Sequence, residues 1–204
     1  ITASQAGNGN YLAASSVQQN QHIINTNLLS QTITFGSLAN RVYGGANFQL
    51  TATGGGSGNP VTYTSSNTSV ATIVDINGNL DPNGTYVDIV GPGTTTITAF
   101  QAGDLVTYND ATPVPQSLVV DVKPLTVTGA TANDKVYDGN TNATISGGTL
   151  VGIETADAGQ VSITGFAGTF ADPNVNVGPP ISVTAALTLG GSASGKYSLT
   201  QPAG

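Results

Sequence analysis

Apolar and polar residues alternate with a period of two along most of this chain. Phe48, Leu50 and Ala52 interleave with Gln49, Thr51 and Thr53, and Val61 and Tyr63 with Thr62 and Thr64. Ile97 and Ala99 interleave with Thr96, Thr98 and Phe100, and Leu118, Val120 and Val122 with Ser117, Val119 and Asp121. The second half follows the same rule at Leu125 and Val127, Val161 and Ile163, and Ile181, Val183 and Ala185. Successive side chains of a strand point to opposite faces, so each run predicts a strand with one face in a core and one in water. Thr, Val and Ile fill these runs, which favours the same state. No stretch shows a helical apolar period with caps. Asn77-Gly78 and Asp81-Pro82-Asn83-Gly84 predict tight turns with positive-φ positions. Gly54 to Asn59 reads as a flexible, glycine-rich strand connection, and Gly91-Pro92-Gly93, Asp172-Pro173-Asn174 and Gly178-Pro179-Pro180 as further breaks. The predicted class is all-β.

The chain also repeats itself. Ile1-Thr2-Ala3-Ser4-Gln5-Ala6-Gly7 returns as Ile97-Thr98-Ala99-Phe100-Gln101-Ala102-Gly103. Tyr11, Ala14, Val17 and Gln19 return as Tyr108, Ala111, Val114 and Gln116, after one inserted residue. An offset of 96 residues is too long for a solenoid rung and suits one small β-sandwich. A weaker likeness links Ala39-Asn40-Arg41-Val42-Tyr43-Gly44-Gly45 to Ala132-Asn133-Asp134-Lys135-Val136-Tyr137-Asp138-Gly139, with Val-Tyr-x-Gly shared. Each copy follows a short predicted strand, Thr32 to Phe35 or Leu125 to Thr128. The expected organisation is therefore tandem β-sandwich modules. Residues 1–29 are the closing strands of a preceding repeat plus a polar linker, 30–122 the first full module and 123–204 the second. Val122-Lys123-Pro124 is the expected junction, made semi-rigid by the restriction that proline places on its neighbour. A start inside a repeat predicts a piece excised from a longer chain.

Composition narrows the function classes. Of 204 residues only 7% are charged, with four Lys+Arg against eleven Asp+Glu, and there is no Cys, Met or Trp. One histidine, His22, and no cysteine exclude zinc-finger, iron–sulfur and thiol chemistry. A net charge of −7 argues against nucleic-acid binding. No apolar run reaches the ~18–20 residues needed to span a bilayer, so no direct membrane insertion is expected. A hydrophobic content of 38% with regular alternation separates the chain from disordered tails.

Candidate chemistry is sparse. A Ser-His-Asp triad would have to use His22, which falls in the linker. The run Gly54 to Gly58 lacks the Gly-Lys-Ser/Thr ending of a phosphate loop. Asp134, Asp138, Glu154 and Asp157 are the nearest thing to a Ca²⁺ ligand set, but their spacing matches no loop motif, and solvated acids are the plainer reading. Glu154, the only Glu, could pair with an Asp in glycosidase fashion, but such sites usually need a cleft and sugar-stacking Trp, and Trp is absent. Lys123, Lys135 and Lys196 with Glu154 supply the residue types of an intramolecular isopeptide bond. The tyrosine of Val-Tyr-x-Gly reads as a core plug at a corner, its hydroxyl bonded to backbone. No catalytic, cofactor-binding or metal-binding residue is assigned, and an enzyme is not expected.

Gln31-Thr32-Ile33-Thr34-Phe35, Val42-Tyr43-Gly44, Pro60-Val61-Thr62-Tyr63-Thr64-Ser65-Ser66-Asn67, Ser69-Val70-Ala71-Thr72 and Gly93-Thr94-Thr95-Thr96-Ile97-Thr98-Ala99 resemble bacterial immunoglobulin-like repeats of the Tyr-Gly type. The stretch from Lys123 through Lys135-Val136-Tyr137-Asp138-Gly139 to Lys196-Tyr197-Ser198-Leu199-Thr200 resembles the YDG domain. The resemblances imply immunoglobulin-like sandwiches in tandem arrays within large secreted or surface-anchored bacterial proteins, often adhesins. They bring no catalytic residues or cofactors, and they imply that 123–204 lacks its last strand. The expected function is an extracellular structural segment, a stalk, spacer or fibre that works by summed length. Its expected partners are neighbouring repeats of the same chain, with a homo-oligomeric filament by strand addition as a variant. The alternative is a carbohydrate- or surface-binding module, for which Thr62, Thr64 and Thr94-Thr95-Thr96 would supply an exposed row.

Overall fold

The computed structural model describes residues 2–18, 27–174, 178 and 180–202. The linker around Asn20 and His22 lies outside them. The described residues are nearly all β, with no α-helix and two 3-10 turns, Thr155–Asp157 and Ser194–Lys196.

Thr2–Gln5 (β1) and Ala14–Gln18 (β2) make an antiparallel hairpin. The first unit follows with Thr34–Phe35 (β3), Arg41–Val42 (β4), Phe48–Gln49 (β5), Ala52–Thr53 (β6), Val61–Ser65 (β7), Ala71–Val74 (β8), Tyr86–Ile89 (β9), Gly93–Gln101 (β10) and Val114–Asp121 (β11). Its sheets have the orders β4-β11-β10-β7, β5-β9-β8 and β3-β6. Alternation works as expected along β10, where Thr95, Ile97, Ala99 and Gln101 are buried. Leu118 and Val120 continue that face along β11. Ile97, Ala99, Leu118 and Val120 meet Ala71, Val87 and Ile89 of the opposing sheet, and Val70, Phe35, Leu50 and Tyr63, in one core.

Two turn and strand expectations need correction. The run 48–53 is not one strand. Phe48–Gln49 pairs with β9 and Ala52–Thr53 with β3, so the chain changes sheets at Leu50, whose N–H donates to Thr85 O at 2.7 Å. The glycine-rich segment is not a loose connection either. A Cβ at Gly54, Gly55 or Gly56 would lie 2.4–2.6 Å from the side chains of Gln101, Gln31 or Tyr108. The glycines let the backbone lie directly on buried polar side chains. Gln101 is 2% exposed; its amide accepts from Gly55 N–H at 2.6 Å and donates to Asn59 O at 2.7 Å. Gln31, also buried, donates to Asn109 O at 2.8 Å and accepts from Ser57 N–H at 3.0 Å.

The internal repeat is a structural repeat. β1–β2 pairs Thr2 with Gln18 and Ala3 with Val17. The equivalent residues of β10–β11 pair Thr98 with Pro115 and Ala99 with Val114, the same register. A Cβ at Gly7 would lie 2.4 Å from Tyr11 O, and one at Gly103 2.2 Å from Tyr108 O, so glycine permits the same backbone approach twice. Asn8 Oδ1 accepts the N–H groups of Asn10 and Tyr11 at the first tip. At the second, Asp104 Oδ1 accepts those of Tyr108, Thr107 and Val106, which pull its pKa down to about 2. The surroundings differ completely: every described residue of the first hairpin is exposed.

The second unit comprises Lys123–Ala132 (β12), Asn142–Val151 (β13), Ser162–Phe170 (β14), Val183–Gly190 (β15) and Tyr197–Leu199 (β16). These form a single five-stranded sheet of order β15-β14-β13-β12-β16, not two stacked sheets. Gly129, Gly147 and Gly148 interrupt the β12–β13 ladder with φ of +71°, +68° and +97°. A small core of Ile145, Ala185 and Leu187 lies on the sheet. A side chain just beyond β16 bonds the edge strand β15. Gln201 accepts from Leu187 N–H and donates to Leu187 O, both at 2.8 Å.

Replacing Gln101 by Leu keeps the volume but leaves Gly55 N–H and Asn59 C=O unpaired. The expected loss is ~1–3 kcal/mol of stability in urea unfolding, two hydrogen bonds of half-buried backbone groups at ~0.5–1.5 kcal/mol each.

Candidate functional site

The densest set of buried polar contacts lies where the two units meet. β11 ends at Asp121 and β12 begins at Lys123, so Val122 alone separates them. Parallel pairings flank this point on both sides: β4 on β11, and β16 on β12, with Lys123 opposite Tyr197 and Pro124 opposite Ser198. The apolar core does not stop there. Leu125, Val161, Ala193 and Tyr197 of the second unit join the cluster that holds Tyr43, Leu118 and Val120 of the first.

Tyr43 crosses the seam. Its N–H donates to Asp121 O at 2.9 Å, extending the β4 pairing by one residue, and its ring is buried. Its hydroxyl donates to Asp157 Oδ2 at 2.8 Å and accepts from Lys196 Nζ at 3.1 Å. The Tyr197 hydroxyl donates to the same Oδ2 at 2.6 Å and accepts from Glu154 N–H at 3.1 Å. Lys196 Nζ reaches Asp157 Oδ1 at 2.9 Å. Each hydroxyl therefore has one donor and one acceptor, and both oxygens of a carboxylate only 3% exposed are paired. The tyrosine rings meet edge to face, 5.7 Å apart at 80°. Beside them Lys123 forms an ion pair with Glu154. The Glu154 carboxylate lies against Gly44, whose φ is +76°; a Cβ there would overlap Oε1. The two 3-10 turns set this up, one ending in Asp157 and the other placing Lys196 just ahead of Tyr197.

The charges are tuned together. Burial by itself would push the Asp157 carboxyl up, but Lys196 and the hydroxyls of Tyr197 and Tyr43 outweigh it and hold the group below the ordinary carboxylate value. Asp157 and then Tyr43 raise Lys196. Burial, with Asp157 next, pushes Tyr197 up to about 12, and burial also raises Tyr43. The arrangement is a fixed ionic and hydrogen-bonded lock. Each shift favours the state in which it is already bonded.

The other expected site residues fall apart from this cluster. Val42 and Val122 are 42% and 39% exposed beside the seam. Val136 and Tyr137 are 89% and 60% exposed, so the core-plug reading fails for the second Val-Tyr-x-Gly. It also needs amending for the first, because the Tyr43 hydroxyl bonds a carboxylate and not backbone. Tyr43 has the 154–197 surface to enter; Tyr137 lies in the β12–β13 loop, where Asp138 pairs with Lys135 and caps Asn140 N–H. The backbones differ too: the positive φ falls at Gly44 in one motif and at Gly139 (+76°) in the other. The four acids considered for Ca²⁺ are split, with Glu154 and Asp157 at the seam and Asp134 and Asp138 in that loop. Among the described residues no three His, Asp or Glu side chains gather as a metal site.

A YDG domain spans residues 121–204. It begins at the final residue of β11, so the match takes in the seam itself. No curated protein and no solved structure matches the chain. Within the YDG domain, Asp157, Lys196 and Tyr197 form the socket, and Tyr43 is the one hydroxyl supplied from outside it.

Tyr43→Phe removes a hydrogen bond to a charged group and is expected to cost ~1.5–3 kcal/mol in urea unfolding. The pH dependence follows from the shifts. Asp157 is depressed, so its contribution is complete above the ordinary carboxylate range and is lost as pH falls through it toward the folded value. Lys196 and Tyr197 are raised, so theirs is complete below the ordinary lysine and tyrosine values and is lost as pH climbs past them. Thermal unfolding should therefore show a plateau from about pH 5 to 9 with losses at both ends. Asp157→Asn should make the acid limb shallower, leaving the share that Asp104, Asp75 and Asp138, also depressed by their hydrogen bonds, contribute.

Proposed function

We propose that this chain is a structural segment of a large extracellular bacterial surface protein, a stalk or spacer of an adhesin built from tandem modules. In this reading residues 30–122 are a bacterial immunoglobulin-like repeat, followed by the YDG domain. The single observation that supports it best is the seam. One residue of chain, a shared apolar core and a satisfied buried carboxylate join the units. Such a joint resists bending, and resistance to bending is what converts a row of modules into reach. The stacked arrangement of β4-β11-β10-β7 and β5-β9-β8 around one core is in keeping with a sandwich module.

Two measurements test this. Residual dipolar couplings of units 29–121 and 123–202 should fit one alignment tensor, and Asp157→Ala should split them into two. Independent tensors in the unaltered chain would remove the mechanical argument. Antibodies against the chain should label intact cells of the producing organism. Labelling only after lysis would defeat the surface assignment.

One observation favours a second reading, a carbohydrate-binding role. Tyr137, Phe170, Asn133, Asp134 and Asp172 line a cleft of about 480 Å³ at the loop end of the YDG domain, the size of a small-ligand site. An exposed aromatic face flanked by amide and carboxylate groups suits a sugar ring. A glycan array should then give hits that Tyr137→Ala abolishes; an array with no hits would discard this reading.

A further inference from the structure

We propose that hairpin β1–β2 is a docking element whose partner is a second polypeptide framework of the same kind as residues 29–90, one whose slot for a closing hairpin is open. The structure contains the template for this contact, because the same hairpin occurs a second time with its cover in place. Along one edge, 97–101 pairs with β7. At the tip, Leu29 N–H donates to Thr107 O at 2.7 Å, and Leu29 O accepts from Asn109 N–H at 3.0 Å. Gln31 and the segment Gly54–Asn59 close over Gln101 and Tyr108.

Identity between the two hairpins follows burial in the covered one. Every position of 97–116 that is not exposed keeps its residue in 1–19, with Asp104 the sole exception. There Asn8 stands instead and performs the same tip capping. The exposed positions diverge: Phe100 becomes Ser4, Leu105 Gly9, Asn109 Leu12, Asp110 Ala13 and Pro115 Gln18, and only Ala102 keeps its residue. Burial explains this pattern and strand propensity does not, since propensity acts on both faces. Ala3, Gln5 and Ala14 are exposed, yet they match Ala99, Gln101 and Ala111, all at most 2% exposed. Among the described residues β1 and β2 pair only with each other, and a lone two-stranded hairpin is marginal in water.

The framework of residues 29–90 does not serve, because 97–116 fills its slot and brings Leu118 and Val120 with it. The partner is a second framework of this kind with an open slot, and the register is set in advance. Thr2, Ala3 and Gln5 fall opposite the partner's equivalents of Thr64, Tyr63 and Val61. The Gln5 amide takes the roles that Gln101 has toward Gly55 N–H and Asn59 O. Docking and the stalk role are separable, since surface labelling does not depend on the hairpin.

The test is the whole chain preceded by a second copy of residues 27–96, followed by amide hydrogen exchange. Exchange at Ala3, Gln5 and Ala14 should slow at least ~100-fold relative to the original chain, as entry into a cooperative unit requires. Ala3→Asp in the extended chain should abolish that protection and expose the added framework, while 29–202 stays as before. Because the chain has no Cys, cysteines at Thr2 and at the added copy's Thr64 should also form a disulfide, whereas Gln5 with that Thr64 should not. Unchanged exchange in the extended chain, whether or not the added segment folds, overturns the proposal. So does protection that survives Ala3→Asp.

Discussion

A carboxylate out of contact with water must find partners or lose its charge. At the seam of this protein that requirement fixes the relation of two folded units. Asp157 is met by a lysine and a tyrosine of its own domain and by Tyr43 of the unit before it. Moving either unit would strip a donor from a buried anion, leave a phenol unpaired and open the apolar contact beneath them. The geometry of the joint therefore does not rest on the stiffness of Val122 or Pro124. It rests on groups far apart in sequence, each fully engaged in one arrangement only.

This explains what was and was not legible beforehand. Period-two alternation marked β7, β10, β11 and β12, because their burial is one-sided and side-chain direction follows from the backbone alone. The same signal misled at 48–53, where an unbroken alternation spans a change of sheet. Pattern carries no information about which neighbour a strand pairs with. The buried glutamines were invisible for another reason. Gln31 and Gln101 look like ordinary strand-surface residues until the glycine segment lies down on them. The seam was half visible: Tyr43 and Lys123 drew notice from motif and position, and Asp157 as a stray acid in a chain with few charges. Nothing local joined Asp157 to Tyr43, which lies 114 residues away.

The two Val-Tyr-x-Gly motifs and the two hairpins make complementary points. Similar residues at 42–45 and 136–139 end up in unlike places, one ring sealed in a seam and the other in solvent, because different surfaces surround them. The hairpins 2–18 and 98–115 share register and tip capping in wholly different surroundings, because register and turn are decided within the hairpin. Local structure travels with sequence here; burial does not.

The bond between Gln201 and Leu187 bears on how a sheet edge is guarded in this protein. Exposed strand edges are usually guarded by lysines, and this chain has four Lys+Arg in all. A neutral amide takes that part, offering β15 the donor and acceptor that an invading strand would offer. The rung is filled without charge, so salt that would screen a lysine guard leaves this one in place.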